Sequence, residues 1–249
     1  MAKVALITGA ARRVGRATAL ALANAGMDIA FTWNRSATEA DALKQLIESA
    51  GRNALAIKVD FRQADAVETI VARVRSRFDR LDALINNASV FSPSPLHELD
   101  HQRFVSDMRV NAEAPLLLIQ AFAPDLAAHY SADDPASSGR VVNFIDIHVL
   151  SEPMPGYVSY NASKAALLEI TKTCALELAP EITVNAIAPG VVAWAPFYTE
   201  EQKAEYLQRV PLARPGVPED AATAVRFLVM DAHYCTGEVI QIDGGRHLT

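Results

Sequence analysis

Short continuous apolar runs alternate with longer stretches of helical spacing along almost the whole chain, and few architectures accept that rhythm. "KVALITG" (3–9) is almost wholly apolar and stops at a glycine, which reads as a buried strand. "VGRATALALANAG" (14–26) follows with helical spacing and closes on Gly26. "DIAFTW", "ALAIKVD", "DALINNA", "GRVVNFI" and "EVIQIDG" read as further strands, and helices are expected over roughly 36–50, 64–78, 101–130, 157–179 and 219–230. Such alternation implies an α/β fold, a doubly wound parallel sheet of about seven strands with helices on both faces. No repeat or low-complexity tract interrupts it, so residues 1–249 read as one domain. The segment 190–218, rich in Pro and aromatics, is the one long irregular stretch. Loops of that length in compact domains are usually functional, and this one is expected to cover a substrate.

Composition removes several classes of function. A net charge of −6 argues against a nucleic-acid surface. No run of about 18 apolar residues lacks a charge or strong polar group, so no membrane span is expected. Gly9 followed by Arg12, Arg13 and Arg16 is the wrong order for a signal peptide. Cys174 and Cys235 are isolated, which points to no metal ribbon or disulfide framework and to a reducing, cytoplasmic setting.

"TGAARRVGRA" (8–17) lies between the first strand and the first helix, where a Rossmann-type fold binds phosphates on backbone amides and the helix dipole. Only Gly9 and Gly15 of the usual three glycines are present. Three arginines at a helix N-terminus oppose its dipole unless an anion is bound there. An NAD site carries an acid about twenty residues beyond the glycines for the ribose 2′-hydroxyl. Here the second strand runs into Asn34, Arg35 and Ser36, with no acid before Glu39. That set suits a 2′-phosphate, so NADP(H) is the expected cofactor. Asp60, ending the third strand, is placed to reach the adenine.

"NFIDIHVLSEPMPGYVSYNASK" (143–164) ends in Tyr160-x-x-x-Lys164, and residues four apart share a helix face. A free tyrosine titrates near pH 10, and a neighbouring ammonium favours the phenolate, bringing the group toward useful proton exchange. A carboxylate, Asp146, stands fourteen residues ahead of the tyrosine, where a carbonyl reductase would want a hydroxyl.

The glycine turn, "NNAS" (86–89), Asn111, "YNASK" (160–164) and "APG" (188–190), in that order, resemble the short-chain dehydrogenase/reductase family over essentially the whole chain. The resemblance implies that Tyr160 is the acid, that Lys164 binds the ribose and tunes the tyrosine, and that Asn111 holds a proton-relay water. It also implies cofactor contacts from Gly9, Arg12, Arg13, Val14, Asn34, Arg35, Ser36, Asp60, Phe61, Asn87, Ala88, Ser89, Tyr160, Lys164, Pro189, Gly190 and Val191. Family members are usually tetramers, and "NAEAPLLLIQAFAPDLAAHY" (111–130), apolar on most faces, suits a helix buried on both sides of a homotetramer.

Two departures from the common pattern, Arg13 for glycine and Asp146 for serine, are similar to the pteridine reductase branch, as are "NNASVF" (86–91), "WNRS" (33–36) and "DGGRHL" (243–248). That likeness implies a pterin or dihydrofolate substrate, with Arg13 reaching toward it, Phe91 stacked on its ring and Ser89 bonded to it. Charge bookkeeping points the same way. An ionised Asp146 opposes the oxyanion formed in carbonyl reduction, whereas reduction of a C=N bond places a proton on nitrogen and is helped by an acid beside Tyr160. The expected activity is therefore NADPH-dependent hydride transfer to a pterin or folate C=N bond. The spacing of Asp146 from Tyr160 is one residue longer than the family's usual thirteen, which leaves His148 as an alternative to Asp146.

Three alternatives stand beside it. One is a carbonyl reductase of the same family acting on 3-oxoacyl thioesters. A non-catalytic NADP-binding protein on this fold would be expected to lose Tyr160 or Lys164. "HELDH" (97–101) matches the two-histidine zinc-hydrolase motif, but a proline-broken run precedes it and Asp100 reads as a helix cap between the histidines, so no metal is expected.

Overall fold

The computed structural model describes residues 2–195 and 197–249. Seven parallel strands form one sheet: β1 (Val4–Ile7), β2 (Asp28–Trp33), β3 (Ala54–Lys58), β4 (Ala83–Asn86), β5 (Gly139–Phe144), β6 (Ile182–Pro189) and β7 (Val239–Ile242), in the order β3-β2-β1-β4-β5-β6-β7. Strands β1, β4 and β5 are buried along their whole length, so none shows the alternation of a half-exposed strand, and β5 buries Arg140 and Asn143 among its apolar residues. The order reverses between β1 and β4, and a crevice opens there above the strands' C-terminal ends.

Helices cover both faces. They are α1 (Arg13–Asn24), α2 (Ala37–Ser49), α3 (Ala66–Arg77), α4 (His101–Met108), α5 (Ala114–Ala127), α6 (Val158–Glu177), α7 (Glu200–Gln208) and α8 (Pro218–Met230). One core gathers Leu22, Leu43, Ile47, Val225 and Leu228 against one side of the sheet. The other gathers Ile70, Val74, Leu118 and Phe122 against the opposite side. This is the doubly wound Rossmann arrangement expected from the alternation.

Three elements differ from expectation. Strand β6 carries Asn185 amid its apolar residues, which hides the run; the side chain is paired with Cys235 O at 2.9 Å and Glu238 N at 3.0 Å, so the polar group is satisfied inside the sheet. The expected helix 101–130 is broken by a π turn at Arg109–Glu113, which inserts a residue and carries buried Asn111 toward β4 and α6. The segment 190–218 is not irregular throughout. Thr199 caps α7 in a capping box, accepting from Gln202 N at 3.3 Å while Gln202 Oε1 accepts from Thr199 N at 3.0 Å.

Candidate active site

The crevice holds a cleft of about 650 Å³ running from Arg12, Arg35 and Asp60 at one end to Asp146, Tyr160 and Lys164 at the other. At the first end the backbone is locked onto itself. Gly9 takes a left-handed φ of +66°, and its N–H donates to Thr32 Oγ1 at 2.9 Å. Thr8 Oγ1 accepts from the N–H groups of Asn87 and Ala88, both at 2.9 Å, and Asn87 Nδ2 donates back to Thr8 O at 2.8 Å. Gly15 allows the closest approach: a Cβ there would lie 2.6 Å from Asn87 Nδ2 and from Gly9 O. Arg13 stands beside it at a φ of +52°, a backbone region costly for a side-chain-bearing residue, and lines the cleft.

Arg12, Arg13, Val14, Asn34, Arg35, Ser36, Asp60, Phe61, Asn87, Ala88, Ser89, Pro189 and Gly190 all line this cleft. Val191 lines a smaller adjoining chamber instead. Glu39, the nearest acid, is drawn to Arg12 at 3.2 Å. Asp60 is held by Arg62, whose hydrogen bonds bring its pKa down to about 2. The cleft suits a dinucleotide. Amides at the start of α1 and the arginines could meet phosphates, and buried Lys164 has one acceptor among the described residues, Phe144 O at 2.6 Å, which leaves ammonium protons that could serve a ribose hydroxyl.

At the other end side chains meet side chains. Tyr160, 6% exposed, donates its hydroxyl to Asp146 Oδ2 at 2.7 Å. The extra residue in the spacing is absorbed by a single 3₁₀ turn, Ile147–Val149, which Asp146 caps by accepting from His148 N at 2.9 Å. The His148 ring is engaged elsewhere, Nδ1 lying 2.8 Å from Glu152 O. Asp146 is therefore the partner of the tyrosine, and His148 only lines the chamber.

Burial pushes the Tyr160 phenol well above its ordinary pKa, and the Asp146 charge and hydrogen bond add to that rise. Burial brings Lys164 down to about 8. The ammonium lies 5.9 Å from the centre of the Tyr160 ring. The expected downward tuning of the tyrosine by Lys164 is thus outweighed by the carboxylate and burial.

The Asn111 side chain is held within the protein. Its Oδ1 accepts from Val90 N at 2.9 Å and Ser89 Oγ at 3.2 Å, and its Nδ2 donates to Val90 O at 3.1 Å and Ser163 Oγ at 3.0 Å. With its amide engaged in this way, the side chain braces the Ser89–Val90 turn.

The adjoining chamber, about 160 Å³, is lined by Phe91, Met154, Trp194, Tyr198 and Tyr206 beside the Asp146–Tyr160 pair. Trp194, Tyr198 and Tyr206 come from the 190–218 segment, and sequence reasoning named none of them. Phe91 stacks on Tyr157 at 4.8 Å and 9°, stacks on Phe197 at 5.8 Å, and meets Tyr160 edge-on at 4.8 Å. The "HELDH" histidines do not share a helix face. Asp100 caps α4 by accepting from Arg103 N at 2.7 Å, which leaves His97 outside the helix.

A family model described as enoyl-(acyl carrier protein) reductase matches residues 9–247. The chain belongs to the short-chain dehydrogenase/reductase family. It is 37% identical to a 3-oxoacyl-[acyl-carrier-protein] reductase of Synechocystis sp. over 98% of this chain and 96% of that protein. It is 34% identical to the 3-oxoacyl-[acyl-carrier-protein] reductase FabG of Staphylococcus aureus over 100% of this chain and 99% of that one. Among solved structures it is similar to the acetoin dehydrogenase YohF of Salmonella typhimurium, with a TM-score of 0.87 and 30% identity over 100% of this chain and 97% of that chain.

These relatives correct the expected activity. Chains matching from end to end are named as 3-oxoacyl reductases, so the pterin or folate C=N reading and the pteridine reductase branch are set aside. The physical reason lies in the chamber. Phe91 spends its stacking contacts on Tyr157 and Phe197 and its edge contact on Tyr160, so its presence marks an aromatic wall rather than a platform for a heterocycle. What stands is an oxidoreductase of a family whose reductases use NAD(P)H. No helix among the described residues is long and apolar enough to cross a membrane.

Proposed function

We propose that this protein is an NADPH-dependent carbonyl reductase acting on a 3-oxoacyl thioester. The observation that carries the reading is the buried Tyr160 hydroxyl at the inner end of the dinucleotide cleft, within a chain whose end-to-end relatives bear the 3-oxoacyl reductase name. Gly9, Val14, Asn87, Ala88, Pro189 and Gly190 would hold the dinucleotide's backbone side, and Lys164 its nicotinamide ribose. Arg35, Ser36 and Asn34 would select the 2′-phosphate, because the one nearby acid, Glu39, is drawn to Arg12. Bound there, NADPH supplies the hydride.

Tyr160 gives its phenolic proton to the substrate's carbonyl oxygen. Asp146 accepts the Tyr160 hydroxyl at 2.7 Å and would steer its oxygen beside the chamber. As the phenolic proton leaves for the carbonyl oxygen, a proton from solvent would restore the phenol, with Asp146 the carboxyl group placed to relay it.

The small chamber favours a compact reacting end, and a four-carbon hydroxyketone or diketone is the second reading, supported by the similarity to acetoin dehydrogenases. Exposed Phe104, Val105, Leu116 and Leu117 leave apolar faces on α4 and α5, and a homotetramer would cover them. The test is NADPH consumption with an acetoacetyl thioester, a vicinal diketone and a 2-enoyl thioester, with the product identified. The expected result is a 3-hydroxyacyl thioester. Turnover of the enoyl thioester alone would replace this reading.

A further inference from the structure

Asp107 is a buried carboxylate outside both the cleft and the chamber, its side chain only 3% exposed. It sits in the last turn of α4, and both of its oxygens accept from Arg103 Nε at 3.0 Å. Arg103 donates in turn to Ser92 O at 3.2 Å. The carboxylate also accepts the hydroxyl of Ser159, the residue immediately before Tyr160. Since that hydroxyl has one proton and a carboxylate can only accept, the Ser94 hydroxyl must donate to Ser159 Oγ, 3.0 Å away. Ser159 N closes the ring on Ser94 Oγ at 3.3 Å.

Ser94 ties this cluster to the substrate loops. Its N–H donates to Gly156 O at 2.7 Å, its carbonyl accepts from Val158 N at 3.4 Å, and it pairs with Tyr157 as an isolated parallel bridge. Tyr157 is the residue stacked on Phe91. One charge therefore holds together α4, the loop carrying Phe91, the loop carrying Tyr157 and the first turn of the Tyr160 helix. Its sign suits the N-terminus of α6, which has no side-chain cap of its own. None of these contacts touches the glycine turn.

We propose that Asp107 is a positioning residue for the substrate side alone, setting the Phe91–Tyr157 wall and the start of the Tyr160 helix through Ser159. The inference rests on the reading that the chamber receives the carbonyl substrate. Asp107→Asn keeps the shape and removes the charge; Ser159→Ala removes only the bridging hydroxyl and serves if the first variant folds poorly. Each should raise KM for the carbonyl substrate about tenfold, the scale of one charge-assisted hydrogen bond, while kcat stays within about threefold and NADPH affinity within about twofold. The double variant should be no worse than the worse single one, because both act through one bond. Amide hydrogen exchange should rise in 89–98 and 150–160 and stay constant in β1 and α1. Cofactor affinity falling in step with KM, additive single effects, or exchange rising across the whole sheet would overturn the proposal. The exchange pattern needs no substrate, so if no carbonyl compound is reduced, the functional reading fails while the positioning role is still decided.

Discussion

At the cofactor end of the cleft, backbone amides, carbonyls and two threonine hydroxyls fix the turn, with glycines admitted where a Cβ would meet a neighbour at 2.6–3.1 Å. At the substrate end, backbone bonds tie Ser94 to Gly156 and Val158, but the surfaces facing the chamber are made by side chains meeting across loops: Asp146 on Tyr160, Phe91 on Tyr157, Trp194 near Tyr206. Geometry held by backbone survives most substitutions elsewhere and rejects nearly any within it. Geometry held by side chains can be redirected by one residue, as Asp146 does where the family commonly has serine. The cofactor end thus marks the family, and the substrate end decides what is reduced.

That contrast can be broken at either end. The largest effect is expected from Tyr160→Phe, which removes the hydroxyl proposed to deliver a proton to the carbonyl oxygen. Carbonyl reduction should fall about 10³-fold, within the range a general acid supplies, with NADPH affinity held nearly constant. A comparable rate in the variant would move the acid to another residue.

Next in size is Arg35→Ala at the cofactor end. Loss of a charge-assisted phosphate contact of about 1.5–3 kcal/mol should weaken NADPH binding and leave NADH binding unaltered, as read by titration of cofactor fluorescence. Equal weakening of both would place Arg35 on the shared part of the dinucleotide.

Gly15→Ala probes the backbone lock directly. Its Cβ would sit 2.6 Å from Asn87 Nδ2 and Gly9 O, so the variant should lose about 1–3 kcal/mol in denaturant unfolding and bind NADPH more weakly. Unchanged stability would mean the turn yields more easily than its contacts suggest.

Phe91→Ala carries the smallest expected effect and sharpens the comparison at the substrate end. Removing this ring takes a stacked contact worth about 0.5–1.5 kcal/mol out of the Phe91–Tyr157–Phe197 wall, which should loosen the chamber, raise the carbonyl substrate's KM and leave cofactor affinity alone. A KM that does not move would assign Phe91 to packing with Tyr157 only.

The same contrast explains what could be read in advance. Strands buried on both faces appear as short, mainly apolar runs, so "KVALI" and, despite Arg140 and Asn143, "GRVVNF" declared themselves, and a tyrosine and lysine four apart on α6 announced their shared face. Strand β6 did not, because buried Asn185 finds its partners only in the segment around β7, far along the chain. The π turn at Asn111 follows from contacts to Val90 and Ser163, again distant in sequence. Helix α7 was legible in principle, since "TEEQ" is a capping box, but the flanking prolines and aromatics mask it. The substrate was the least legible feature. Arg13, Phe91 and Asp146 are three side chains at the adaptable end, and the neighbours that give Phe91 its role, Tyr157 and Phe197, lie well over sixty residues away.

The central claim is that Asp146 and Tyr160 act as one proton-delivering pair in carbonyl reduction. It is tested most directly by a double-variant cycle: kcat/KM for the acetoacetyl thioester in the unmodified enzyme, in Asp146→Ser, in Tyr160→Phe and in the two combined. The account predicts that Asp146→Ser changes the rate severalfold when Tyr160 is present and has no further effect once Tyr160 is Phe. Equal effects in both backgrounds, or none in either, would contradict it and leave Asp146 as the cap of its 3₁₀ turn.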